Sequence, residues 1–267
     1  MHLATLLLLL GAMRASAHQL DGCPLEANAA SREEAQLLLK TAQAALEAGR
    51  FEEAEQSLHG AARLDPASPF VHYALGAALM ELRPSEAVQA FKRCRETLRC
   101  LREGDSSARE RLRGEIDTQI QALRGALLEL ERDRLKKFEI PGQEMNSNAK
   151  PTLGQSVPVV AALEQKISDL QRLRQHPEQE PPNLGVALGR AQFNLGALEE
   201  AEREFVSALA KDPGHGDAHN NLAVVLMLQG RLEEARRELK AAEKAGVEVA
   251  PRLKQELEAR RKAAARR

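Results

Sequence analysis

Apolar positions in this chain recur at helical spacing. Ile116, Ile120, Leu123, Leu127 and Leu130 follow a 4-3-4-3 pattern with Arg and Glu between them, which predicts one long amphipathic helix in residues 104–138. Val159, Leu163, Ile167, Leu170 and Leu173 predict a second in residues 159–181, closed by the breaker that runs from His176-Pro177 to Pro181-Pro182. Residues 139–158 hold Pro141-Gly142, Asn146-Ser147-Asn148 and Pro151, and read as a flexible linker. On either side the pattern repeats itself. Glu53-Ala54 is followed by Leu58 four residues after the alanine and by Pro66 twelve after it, and Glu200-Ala201 by Phe205 and Pro213 at the same offsets. Ala87 with Phe91 and Ala235 with Leu239 copy the first half of that pattern. Twelve residues before the alanine stand Ala42, Gly189 and Ala223, with Gly76 eleven before Ala87, and five before it stand Gly49, Gly196 and Gly230.

The spacing from Ala54 to Ala87 is 33 residues and from Ala201 to Ala235 it is 34. Two helices approach closely only where their side chains shrink to Gly or Ala, and a Gly between them takes a positive φ at little cost. Asp65-Pro66 and Asp212-Pro213 end helices, because the residue before Pro is driven from helical geometry. The chain in this respect resembles the tetratricopeptide repeat (TPR) family, whose unit is a helix, a turn and a helix in about 34 residues. The resemblance implies an all-α fold, a TPR-type helical-hairpin solenoid with repeats at 35–68, 69–103, 182–215 and 216–249. The 114 residues from Ala87 to Ala201 are not a whole number of periods, so the two repeat pairs are separated by the long-helix and linker insertion. Residues 250–267, opened by Pro251, supply a C-terminal capping helix for the last apolar edge. Two readings of the insertion stay open: degenerate repeat helices packed on the neighbouring repeats, or a coiled-coil hairpin or homodimer seam through residues 112–130. This chain departs from the family where Leu38, His72, Gly185 and His219 replace the usual Trp, and where Arg99 replaces the terminal Pro of a second repeat that is one residue short beside Pro84.

In family members that bind peptides, first-helix residues line a concave groove. Carried over position by position, the resemblance implies groove contacts at Asn183, Val186, Arg190, Phe193 and Asn194, and at Asp217, Asn220, Asn221, Val224, Met227 and Leu228. In the second repeat the corresponding residues include Phe70, Tyr73, Ala77 and Met80. Asn221 matches a sixth-position Asn whose amide both donates to and accepts from a peptide backbone, whereas Lys40, Ala74 and Ala187 stand at the equivalent sites. The lysines of the family's carboxylate clamp for chaperone tails are absent. The implied function is a non-enzymatic scaffold for a protein or peptide partner. The alternatives are a self-associating structural protein, or an accessory subunit of an extracytoplasmic enzyme or envelope complex.

Composition narrows the partner. With 38 Lys plus Arg against 39 Asp plus Glu, no phosphate-binding surface dominates, and with no Trp and one Tyr there is no stacking platform, so nucleic acid is not an expected partner. Arg260, Arg261, Lys262, Arg266 and Arg267 suit the C-terminal dipole of the capping helix. His215-Gly216-Asp217-Ala218-His219 alone has a metal-ligand flavour, and its place at a loop and helix start reads as structural. No phosphate-cradling Gly loop, Gly-x-Ser-x-Gly elbow or Cys-x-x-Cys occurs, so neither enzyme activity, cofactor nor metal is expected.

The run Leu6 to Leu10, extended through Met13, is about half the length a bilayer-spanning helix needs, so no stable membrane span is expected. Ala15-Ser16-Ala17 follows it with the small-x-small pattern of a signal-peptidase site. Residues 1–17 read as a signal peptide cleaved after Ala17, residues 18–34 as a linker, and the protein as secreted or periplasmic. Leu20-Asp21-Gly22-Cys23 faintly resembles a lipobox, which makes a lipid anchor at Cys23 the alternative. Cys94 and Cys100 on one helix lie about 9 Å apart along its axis, too far for a disulfide, while a Cys23–Cys100 bridge stays open. If Ala201 lies where helices touch, Ala201→Leu costs about 1–3 kcal/mol by overpacking. An unchanged urea midpoint for that variant contradicts the repeat alignment.

Overall fold

The computed structural model describes residues 23–24, 27–104, 106–138, 157–177 and 179–264. The expected signal peptide and residues 139–156 of the expected linker lie outside them. Among the described residues the regular elements are all α-helices: α1 (Ala29–Glu47), α2 (Phe51–Leu64), α3 (Pro69–Leu79), α4 (Pro84–Glu103), α5 (Ser106–Phe138), α6 (Val157–Gln175), α7 (Pro182–Asn194), α8 (Leu198–Lys211), α9 (Gly216–Leu228), α10 (Leu232–Lys244) and α11 (Pro251–Ala264). The chain forms two compact units, one reaching to Cys100 and resuming at Glu180, the other Leu101–Gln179.

The first unit is the solenoid. α1 packs on α2, α7 on α8 and α9 on α10, and α2 and α8 each reach the first helix of the following repeat, α3 and α9. The repeated alanines Ala54, Ala87, Ala201 and Ala235 are completely buried. A Cβ on Gly76 would stand 2.8 Å from the Phe91 ring and one on Gly189 2.6 Å from that of Phe205, so both positions require glycine. In the other two repeats the large partner is Leu58 or Leu239, and Ala42 and Ala223 occupy the small position. The pairs therefore trade volume: Gly with Phe, Ala with Leu.

Gly49, Gly196 and Gly230 take φ of 72°, 77° and 80°, as their turns demand, and Gly246 does the same at the end of α10. After each, the next N–H donates to the carbonyl five residues back, Arg50 to Ala45, Ala197 to Gln192, Arg231 to Leu226 and Val247 to Ala242. The shorter second repeat has no such glycine; the Arg83 N–H bonds the Leu79 carbonyl and Pro84 opens α4 directly. At the far end α11 covers the last pair with Leu257 buried and Leu253 packed on the core. Two of its basic residues are engaged within the chain, Arg260 with Glu256 and Arg261 with Glu233 and Glu258.

The insertion separates the repeat pairs along the chain but not in space, since both belong to one unit. The junctions differ in chemistry. Glu55, just after Ala54, pairs with Arg83 of the second repeat, and Glu202, just after Ala201, pairs with Arg231 of the fourth. At the middle junction Val88 stands where the Glu should be and Ala197 where the Arg should be. There Arg95 of α4 donates to Glu180, at 3.0 and 3.1 Å, and to both carboxylate oxygens of Glu204 on α8, at 2.6 and 3.0 Å. Lys211 lies 3.3 Å from the same Glu180, and the Asn194 amide donates to the Met80 carbonyl at 3.1 Å.

In the second unit α5 and α6 pack on each other as a hairpin, with Arg174 2.6 Å from Asp117. The heptad seam is buried at Ile116 and Ile120, half-buried at Leu123 and Leu127 and exposed at Leu130, with Leu128 beside it exposed as well.

Cys23 and Cys100 are disulfide-bonded, their Cα atoms 5.8 Å apart, whereas Cys94 is free and buried, its thiol pushed well above the ordinary range by burial. Cys100 sits on the part of α4 that runs past the usual repeat end, where Arg99 replaces the proline.

Arg95→Ala leaves Glu204 unpaired and Glu180 with Lys211 alone, and should cost roughly 1–3 kcal/mol, read as a lower urea midpoint. Cys23→Ser, or reduction, opens a loop of 77 residues and should cost about 2–4 kcal/mol. In the unreduced parent chain, thiol counting should give one reactive group, Cys94, and only in denaturant.

Candidate binding face of the first helices

In the first unit the first helices of consecutive repeats meet, α1 with α3 and α7 with α9, so their free sides form a continuous face within each pair. The residues that the resemblance places there divide into three groups. Val186 and Met227 are buried in the core, and Phe193 packs against it. Position along a helix fixes which way a side chain points, and here these apolar chains fold down between helices instead of outward.

Two asparagines are used internally. The Asn183 carboxamide oxygen accepts from the His215 ring at Nε2, while His215 Nδ1 caps α9 by accepting the Ala218 N–H at 3.4 Å. Asn194 holds the Met80 carbonyl across the middle junction.

The third group faces outward. Arg190 is half exposed, 4.0 Å from the exposed Glu81. Asp217 and Leu228 are exposed, and Asn220, Asn221 and Val224 are half-buried. On α3, Tyr73 and Ala77 are exposed, and Met80, which caps its end, is buried; the Tyr73 ring stands edge-on to Phe91 at 5.5 Å, which orients the phenol. This group combines carboxamides, a guanidinium, a phenol and aliphatic surface, a set suited to hydrogen-bonding a peptide backbone while covering apolar side chains.

The histidines that replace the usual Trp have a shared role that the sequence reading missed. His72 and His219 each donate from Nε2 to the carbonyl of the proline six residues earlier, Pro66 at 2.9 Å and Pro213 at 3.0 Å. The common spacing of Pro66 to His72 and Pro213 to His219 was the available signal. His219 Nδ1 also meets Glu238 at 2.6 Å, but in the second repeat Ala90 holds that place and His72 Nδ1 is buried without a partner. Burial first, and the Arg93 charge after the opposing Pro66 hydrogen bond, lowers the His72 pKa. His215 and His219 thus serve a cap and a loop. Among the described residues no group of three or more His, Cys, Asp or Glu is placed to hold a metal ion, and no helix is long and apolar enough to cross a membrane.

Two family profiles, both described as tetratricopeptide repeat, match residues 25–96 and 195–259, together just over half of the chain. No curated protein matches it. Solved structures that resemble it include MamA (15% identity over 79% of this chain and 78% of that one, TM-score 0.44) and PilF of Pseudomonas aeruginosa (16%, 88% and 90%, 0.32). A third is YrrB, described as a TPR protein with an unusual peptide-binding site (19%, 86% and 93%, 0.27). The two matched segments contain the buried alanines and positive-φ glycines of the first and fourth repeats, and the chain belongs to the tetratricopeptide repeat family.

Proposed function

We propose that this protein is an exported, non-enzymatic scaffold that holds a protein or peptide segment along the outward side chains of α3, α7 and α9. The observation that carries the reading is the division among the asparagines. Asn183 and Asn194 are consumed by contacts inside the repeats, whereas Asn220 and Asn221 make no side-chain hydrogen bond among the described residues. A half-buried carboxamide that donates to and accepts from nothing among the described residues is matched to the alternating N–H and C=O groups of an extended peptide. Arg190 adds a charge for an acidic side chain or a carbonyl, and Tyr73, Val224 and Leu228 add apolar area.

Export is supported by the Cys23–Cys100 bond, since structural disulfides persist in oxidising compartments. The same bond takes the sulfur that a lipid anchor at Cys23 would require, which favours a secreted or periplasmic soluble form over an anchored one. The segment ending in Ala15-Ser16-Ala17 is the matching sequence feature.

Crosslinking with mass spectrometry in the native compartment identifies the partner, and the double variant Arg190→Ala with Asn221→Ala tests the face. Its circular dichroism should match the parent, and its affinity for the crosslinked partner should fall by about tenfold or more. Equal capture by parent and variant overturns the assignment.

A further inference from the structure

Three repeats bury the stripe of their first helix that faces the preceding repeat: Val71 and Leu75 in α3, Leu184 and Leu188 in α7, Ala218 and Leu222 in α9. In α1 the corresponding residues are Leu37 and Thr41, continued along the same side by Ala44 and Ala48, and all four are exposed, Leu37 at 64%. The opposite end of the stack is closed by Leu253 and Leu257 of α11. The first unit thus has one covered end and one uncovered end among the described residues.

We propose that α1 pairs with α1 of a second copy, antiparallel about a two-fold axis. The stripe is self-complementary in that arrangement. Leu37 of each chain meets Ala48 of the other and Thr41 meets Ala44, a larger side chain against a smaller one in every layer, which permits close packing of the two helices. Any other orientation loses this match, since a parallel pairing sets Leu37 against Leu37 and Ala48 against Ala48.

Charge selects the same arrangement. Antiparallel helices bring the start of one beside the end of the other, so the exposed Glu33 and Glu34 of one copy come beside Arg50 of the second. Arg50 is the first repeat's version of Arg83 and Arg231. Each of these three binds a Glu three residues on, Glu53, Glu86 and Glu234, and Arg83 and Arg231 also take a carboxylate from the preceding repeat, Glu55 or Glu202. Among the described residues no repeat stands before that of Arg50, whose carboxylate partner is Glu53 of its own helix, and the second copy supplies the additional one. A two-fold contact of this kind is closed, so association stops at the dimer.

The contact is separate from the peptide face and stands or falls apart from it. The test is sedimentation equilibrium of the full chain from about 1 to 100 µM, the range in which a modest interface dissociates. The chain should reach twice its monomer mass. Leu37→Glu, at a site too exposed to affect folding, should raise the dissociation constant by about tenfold or more with an unchanged helical spectrum. Arg50→Glu should weaken the dimer as well, and adding Glu33→Arg and Glu34→Arg to it should restore association. A chain that stays monomeric throughout overturns the proposal. So does a dimer indifferent to Leu37→Glu, which would move the contact to a surface such as the Leu128 and Leu130 end of α5.

Discussion

Close approach of two helices in each hairpin is the constraint from which the rest of the first unit follows. A second helix carries one large residue and one alanine on its inner side, and the first helix must present a residue small enough to admit them. Phe91 and Phe205 demand glycine, Leu58 and Leu239 accept alanine. Because each hairpin closes to a similar depth, its second helix offers the next first helix a similar shelf, and α3 and α9 are seated on α2 and α8 in the same manner. The αL glycines then fix where each turn ends, so that the spacing between closures stays uniform in the three hairpins that have them.

The middle junction shows what happens where that uniformity is broken. Residues Leu101–Gln179 belong to a unit of their own, and the first unit resumes at Glu180, held to Arg95 of the helix at which it broke off. The repeating Glu–Arg contact is absent there from both sides. A different device replaces it: one guanidinium with its planar fork directed at two carboxylates, one at the point of re-entry and one on α8. Arg95 is about one-third exposed and both its partners less than one-fifth, so this pair sits in a region where water screens it less than it does the other junctions' arginines. The Asn194 amide adds a backbone contact at the same place.

Much of the fold was legible because it is periodic. Ala54, Ala87, Ala201 and Ala235 declare the hairpins through their offsets, Gly49, Gly196 and Gly230 declare the turns, and Leu253 and Leu257 declare the cap. What is not periodic was hidden. Offsets count residues along the chain and cannot report that a detour of this length returns to its starting point, and Arg95 lies 85 and 109 residues from its two acceptors with no repeating neighbour to mark them. The binding face was legible in direction but not in depth. Val186 and Met227 share the helix side of Arg190 and Asn221, yet apolar chains gain by sinking between helices and polar ones by staying at the surface, and that choice depends on neighbours from other repeats. The roles of His72 and His219 were legible only in hindsight, through a proline six residues before each.

The Cys23–Cys100 bond has a mechanical meaning. It encloses the first two repeats in a covalent ring and leaves the third and fourth outside it. Tension applied to the chain ahead of Cys23 therefore bypasses α1, α2, α3 and most of α4, and enters the backbone at the foot of α4. The enclosed repeats cannot be drawn out end to end while the sulfurs stay joined. A pull between the two termini would be borne by Leu101–Gln179, by the junction at Arg95 and by the third and fourth repeats, making the C-terminal half the extensible part of the solenoid and the N-terminal half its rigid anchor.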